Sequence, residues 1–189
     1  MIGPLSNYLL SPMALLINKN DFKEYRQLSK GRDVELIESY IQEAQEFDLK
    51  NLLCRTFYFD LINNYQQPAY QALIHGETYT DADGNSIEFK GLKAVIVYYA
   101  YSRYVMQSSA IDTPFGMVQK TTEFSQPVSL SEKRDISDRA AISAAAYWEE
   151  CKLYLDKKSD TFPKWKECSD CGCDGSTSAG SRKFKTSVL

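Results

Sequence analysis

The chain has one histidine, His75, in 189 residues, and its nine glycines stand singly except in the C-terminal tail. A lone histidine with no triad pattern around it reads as structural or solvated rather than catalytic. Scattered glycines leave no loop of the kind that cradles phosphate. Long apolar runs are also missing. The longest unbroken apolar or aromatic stretch, Ala94 to Tyr101, is far short of the ~20 residues a membrane span requires. Nor is there a cationic excess: 22 basic residues against 25 acidic ones give a net charge of -3, so no global field draws the chain to a phosphate backbone. The opening MIGPLSNYLLSPMALLINKND lacks a cationic start and a small-residue cleavage site, and does not read as a signal peptide. These absences argue against an enzyme, a membrane protein and a nucleic-acid binder by default.

The features present are those of a helical body. A chain of this size buries roughly 70% of its unfolded surface and needs no metal or disulfide to fold. Asn20 is placed to cap a short helix from Asp21 to Leu28, ended by Gly31. After Asp33, Val34, Ile37, Ile41 and Ala44 recur at three and four residues while Glu35, Glu38, Gln42 and Glu46 take the other side, which predicts an amphipathic helix. It continues, or restarts after a bend, through Leu49, Leu52 and Leu53 to about Asn64. Pro68 and Gly76 bracket another short helix. Thr78 to Thr80 and Ile87 to Phe89 flank an Asp-Ala-Asp-Gly-Asn turn and predict a β-hairpin, which projects as a tongue or joins a further strand. Asp81, Asp83 and Asn85 imitate a calcium loop, but Ser86 replaces the required glycine and Leu92 the closing glutamate.

The segment from Gly91 to Leu130 organises the rest. Its first part, Leu92 to about Ser108, is β-branched at Val95, Ile96 and Val97, yet its length favours a helix, apolar nearly all round until Arg103. About twenty residues without helical period follow, Ser109 to Val128. Connections this long are usually functional or disordered, and Phe115, Met117, Val118 and Phe124 are too apolar for a solvated linker. Ser129 and Glu132 form a capping box for a last helix, with Ile136, Ala140, Ser143, Ala144, Tyr147, Cys151 and Tyr154 on one face, reaching about Asp156. Beyond Lys158 the pattern dissolves into a Gly/Ser-rich tail. The expected fold is therefore mainly α: a bundle of about four to five helices with a projecting hairpin (77–90), a long extended arm (109–128) and an irregular tail. The helical domain spans 1–158 and the tail 159–189.

Five cysteines, with Cys54 and Cys151 on helical segments, suit a reducing compartment better than a disulfide scaffold. Cys168, Cys171 and Cys173 have the donors for zinc, with Cys151 as a fourth, but lack paired knuckle spacing and a nearby histidine. A plain thiol-bearing tail is the preferred reading, and no cofactor is expected. Arg182, Lys183 and Lys185 around Phe184 form a small basic patch: either a solvated terminus, or an anchor for an acidic groove or packaged DNA.

The order of elements resembles the head-to-tail connector (adaptor) proteins of tailed bacteriophages. DVELIESYIQEAQEFDLKNLLC resembles their long early helix, with its IxxYIxxAQ pattern and leucine-rich end. More specifically, LKAVIVYYAYSRYVMQSSAIDTPFGMVQKTTEFSQPVSLSEKRDIS is similar to the connector-type ring proteins of phages of gut Bacteroidales, including the crAss-like group, at Tyr101, Arg103, Tyr104 and the run Asp112, Thr113, Pro114, Phe115, Gly116, Met117 and Val118. The likeness covers about residues 17 to 157. It implies a virion protein, assembled in the bacterial host cytoplasm and residing at the junction of portal and tail. Such proteins form a ring, commonly dodecameric, beneath the portal and offer a platform to downstream tail or ring proteins. Contact with genomic DNA in the channel would be transient and non-specific, helped by the negative charge of the chain, and no membrane is involved. The residues expected at interfaces are the arm run Asp112 to Val118 with Phe124, Tyr79 and Phe89 of the hairpin, Trp165, and the tail's Arg182 to Lys185. A tail-completion or head-closure protein and a DNA-binding packaging factor are the alternatives.

Overall fold

The computed structural model describes residues 14–26, 34–80, 84–108, 110–113, 116–119 and 128–170. Its elements run α1 (Lys19–Tyr25), α2 (Val34–Glu43), a π-helical turn (Ala44–Leu49), α3 (Lys50–Leu52), α4 (Arg55–Asn64), α5 (Pro68–His75), β1 (Glu77–Thr80), β2 (Ser86–Phe89), α6 (Gly91–Gln107), β3 (Ala110–Thr113), β4 (Gly116–Gln119), α7 (Leu130–Lys157) and α8 (Pro163–Asp170). The chain is mainly helical, with antiparallel hairpins β1–β2 and β3–β4.

At the centre lies α6. Every residue from Gly91 to Val97 is buried, and seven consecutive positions point in all directions around a helix of 3.6 residues per turn. A helix buried all round must have neighbours all round; α1, α2 with its π turn, α5 and α7 pack directly on it. Even Lys93 is drawn in, its ammonium 2.7 Å from Glu24 of α1.

Two glycines allow α6 to start where it does. Gly76 (φ +89°) ends α5, Gly91 (φ +74°) begins α6, and the hairpin between them returns the chain to its own starting point. A Cβ on Gly76 would lie 2.1 Å from the Phe89 carbonyl oxygen, and one on Gly91 would lie 2.4 Å from the Ile74 carbonyl oxygen. Both positions thus need a left-handed backbone and have no room for a side chain. The hairpin is held down at its base, where Phe89 stacks on Tyr154 of α7 (4.3 Å, 13° between planes) and Tyr79 meets the same ring edge-on. Its outer residues, Ser86 to Glu88, are exposed.

The π turn bends the early helix and turns Gln45 inward. Gln45 is fully buried; its Oε1 accepts from the Leu16 amide at 2.7 Å and its Nε2 donates to the Ala14 carbonyl at 3.3 Å. An irregular segment that carries Leu16 and Ile17 is thereby pinned into the core. A second break follows at Cys54, whose φ of +57° redirects the chain into α4.

Several expectations are corrected. The first helix is capped by Asn18, not Asn20, through a box with Asp21; residues 27–33, including Gly31 and Asp33, lie outside the described residues. On α7 the Ser129 and Glu132 capping box forms as expected, but the buried face begins with Lys133 and Ser137 and continues through Ala140, Ala144, Trp148, Cys151, Tyr154 and Leu155, leaving Ile136 exposed. Side chains on a helix pack as a continuous stripe, and Trp148 rather than Tyr147 lies at its middle. The helical body also runs past the boundary drawn at 158. Phe162 and Trp165 are buried against Phe57, Tyr70 and Trp148, and the Trp165 indole donates to Asp156 at 2.7 Å. Finally, Cys54 stands at the break before α4 rather than within a helix, and Cys151 is buried and held protonated by that burial.

Asp60 fixes α8 to the body. Its carboxylate accepts from Lys164 at 2.6 Å and from the Tyr70 hydroxyl. Burial pushes the carboxyl up, but the hydrogen bonds from Lys164 and Tyr70 outweigh it and hold the group below its ordinary value. A depressed carboxylate contributes stability above its unfolded value of about 3.9 and loses it as pH falls through the lower folded value. Asp60→Asn is therefore expected to melt lower than the native chain at pH 7, with the gap closing below about pH 4; thermal unfolding across that range measures it, and a gap independent of pH would contradict the assignment. Gly91→Ala, which combines a left-handed φ with a backbone clash, is expected to cost roughly 3 to 4 kcal/mol. Gly84→Ala, at φ +88° with no described neighbour within 4 Å, should cost only about 1 kcal/mol; denaturant midpoints of the two variants compare them.

Candidate assembly site

The arm leaves the body between the end of α6 and the start of α7, so its root is built from those two helices. They are tied across the root by Ser102 and Ser137, whose hydroxyls lie 2.7 Å apart. On the adjacent face of α6, Arg103 clamps the π turn. Its guanidinium donates to both Asp48 oxygens, with Nε at 3.0 Å from Oδ2 and Nη2 at 2.9 and 3.1 Å. Glu43 stands 3.5 Å from the same group. Burial pushes the Asp48 carboxyl above its ordinary range, and the Arg103 hydrogen bonds and charge only partly offset that. Tyr40 and Tyr104 meet edge-on beside the clamp, and Tyr101 lies against Tyr104 and Phe22. The far side of the root is closed by the capping box: Ser129 Oγ accepts from the Glu132 amide, and Glu132 accepts from the Ser129 amide at 3.0 Å. The Ser129 hydroxyl also donates to the Glu132 carboxylate at 2.7 Å, and that bond, with the one from the Ser129 amide, holds the Glu132 carboxyl below its usual value.

From this root, the first half of the arm returns on itself. Ala110 pairs with Gln119, Ile111 with Val118, Asp112 with Met117 and Thr113 with Gly116. The expected arm is extended backbone, and the finding is that two of its stretches pair with each other. The register leaves only Pro114 and Phe115 to connect them. The sheet is two-stranded, so among the described residues each strand has one edge with no strand beside it. An unpaired edge is a template for another strand.

The structure thus brings Asp112, Thr113, Gly116, Met117 and Val118 together as backbone partners in one hairpin. Pro114, Phe115, Phe124, Arg182, Lys183, Phe184, Lys185, Cys171 and Cys173 lie outside the described residues. Cys168 falls in α8, and among the described residues no cluster of three or more acidic, Cys or His side chains is arranged to hold a metal. Phe89 and Trp165 were expected to present interfaces; both are instead buried within the chain itself, and Tyr79 is half-buried on Tyr154. Sequence reading also missed the buried Gln45 and the Asp48 partner of Arg103. The only signal for either was the polar AQEFD run inside an otherwise regular amphipathic helix.

A cavity of about 260 Å³ opens between α1, the hairpin and the start of α6, lined by residues that include Glu24, His75, Glu88, Lys90 and Lys93. Its lysines are already engaged, Lys93 with Glu24 and Lys90 with Glu88 at 2.5 Å. Glu77, on its wall, accepts from the Tyr154 hydroxyl at 2.7 Å. These are ion pairs and hydrogen bonds that tie the hairpin to its surroundings. Among the described residues no helix is long and apolar enough to cross a membrane.

Fold and site together define a small, mainly helical protein that, among the described residues, carries two antiparallel hairpins at the ends of a central buried helix. The chain belongs to a family described as a family of unknown function, DUF6712, which its residues 49–175 match. That match includes α6, the arm and α8. No curated protein matches the chain, and no solved structure does.

Removing Arg103 would strand a half-buried carboxylate beside Glu43. Arg103→Ala is expected to lower stability by about 2 to 3 kcal/mol, the lower end for a buried pair because both side chains keep some solvent contact. Arg103→Lys, a point charge that cannot reproduce the two-pronged geometry, should recover only part of it. Urea unfolding of the three proteins measures the series; an Arg103→Ala chain as stable as the native one would show that the clamp is not structural.

Proposed function

We propose that this protein is a structural component of a phage virion, a ring beneath the portal that extends the DNA channel and links the portal to the tail. The observation that carries the reading is the arm. A hairpin with open edges stands on a root braced by the Arg103 clamp, the serine pair and the Ser129 capping box, and the same run, Asp112 to Val118, bears the sequence likeness to connector proteins. A rigid body with a strand-bearing arm is suited to assembly by strand addition, because backbone hydrogen bonds supply affinity without demanding a particular side-chain partner. A cyclic ring further requires two different surfaces on each subunit, meeting head to tail. Its neighbours in this reading are further copies of itself, the portal protein above and tail components below.

Electron microscopy of the purified chain, alone and mixed with its portal protein, tests the proposal. Rings, or assembly that depends on portal, are expected; a monomer indifferent to portal would sink it. Deleting Asp112 to Gln126 should leave the helical circular-dichroism signal and melting temperature of the body nearly unchanged while abolishing assembly. Loss of the helical signal would instead make the arm an internal brace.

A further inference from the structure

Two exposed surfaces of this chain are complementary in character and belong to different elements, α7 on the one hand and the π turn with α3 and α4 on the other. The first is the outward face of α7, opposite the stripe that packs on α6. Asp138, Ile142, Ala145, Ala146, Glu149 and Leu153 recur there at helical spacing and are all exposed. Ile142 and Leu153 are 69% and 65% exposed, large values for aliphatic side chains about three turns apart on one face. The stripe has apolar anchors, small residues that permit close approach, and acidic charge. Among the described residues its Glu149 pairs with Lys152, one turn away on the same helix, at 3.2 Å.

The second surface is formed by the π turn, α3 and α4. Phe47 and Phe59 are 57% and 39% exposed. The Lys50 ammonium lies 5.3 Å from the centre of the Phe59 ring and the Arg55 guanidinium 5.7 Å from it. Neither cation is in a salt bridge among the described residues. Aromatic residues and arginine are enriched at interfaces, and the two cations flanking Phe59 give this patch a charge that acidic side chains complement.

We infer that these surfaces meet between copies of this chain, the acidic apolar stripe of α7 on one copy seating on the Phe47, Lys50, Arg55 and Phe59 patch of the next. The occupant is a second copy because each chain carries both halves of the match, and two unlike surfaces on one chain generate a head-to-tail contact that propagates. This rests on the ring reading and names the lateral interface that the ring would use, separate from the arm.

Charge reversal tests it. In a chain carrying Lys50→Glu and Arg55→Glu both surfaces are acidic, and in one carrying Asp138→Lys and Glu149→Lys both are cationic. Each variant alone should associate at least about tenfold more weakly than the native chain by sedimentation or native mass measurement. An equimolar mixture should assemble again, because acidic and cationic surfaces then alternate. All four positions are exposed or half-exposed, and unchanged melting temperatures confirm that the variants fold. Native-like association of either variant alone, or a mixture as weak as its parts, would overturn the inference. So would loss of association on deleting residues 181–189 and on Asp138→Lys with Glu149→Lys but not on Lys50→Glu with Arg55→Glu, which would make the basic tail the occupant of the stripe. Rings that form with portal and ignore the charge variants would remove this interface while leaving the ring reading in place; a native chain that never assembles would remove both.

Discussion

Burial of α6 on every side is the constraint from which the rest of the structure follows. Seven consecutive buried positions leave no solvent face, so α1, α2, α5 and α7 must surround it, and the chain must enter and leave along its axis. Entry is through the Gly76 and Gly91 crossing, where two backbones approach too closely for any Cβ. Exit is the arm root, where Arg103 and Ser102 fasten the last turns of α6 to the π turn and to α7. Both hairpins sit at these two ends, because a helix enclosed along its length can carry other structure only at its termini.

Much of this was legible because it depends on local chemistry. Pro68 at a helix start, Gly76 at its end, the Ser129 and Glu132 box and the length of the Leu92 to Ser108 run each carry their own reason, and each forms. What was illegible depends on a distant partner. Gln45 looks like any exposed glutamine until the Leu16 amide and the Ala14 carbonyl are brought to it. Ser137 joins the buried stripe of α7 because Ser102 lies opposite, whereas composition favours Ile136. Trp165 follows a proline in a polar stretch and reads as tail, yet Phe57, Trp148 and Asp156 enclose it.

The candidate site divides the same way. An arm between the two long helices was readable from its length and its misplaced aromatics, but the pairing of Asp112 with Met117 was not, since Thr-Pro-Phe-Gly lacks the usual hairpin turn dipeptides. The IxxYIxxAQ pattern has a physical reading in the structure: Ile37, Tyr40, Ile41, Ala44 and Gln45 are all buried. Residues that carry the likeness there are packing residues. Those of the arm pair through their backbones in one hairpin, and the functional reading is placed there.

The central claim is a division of labour between a self-sufficient body and an arm kept for assembly. Hydrogen exchange, followed residue by residue on the free and the assembled protein, tests it most directly. Amides of Val95 to Ala100 should exchange only through global unfolding in both states. Amides of Ala110 to Thr113 and Gly116 to Gln119 should exchange much faster in the free chain and slow markedly on assembly. Arm amides as protected as those of α6 before any partner is present would contradict the claim and make the arm part of the body.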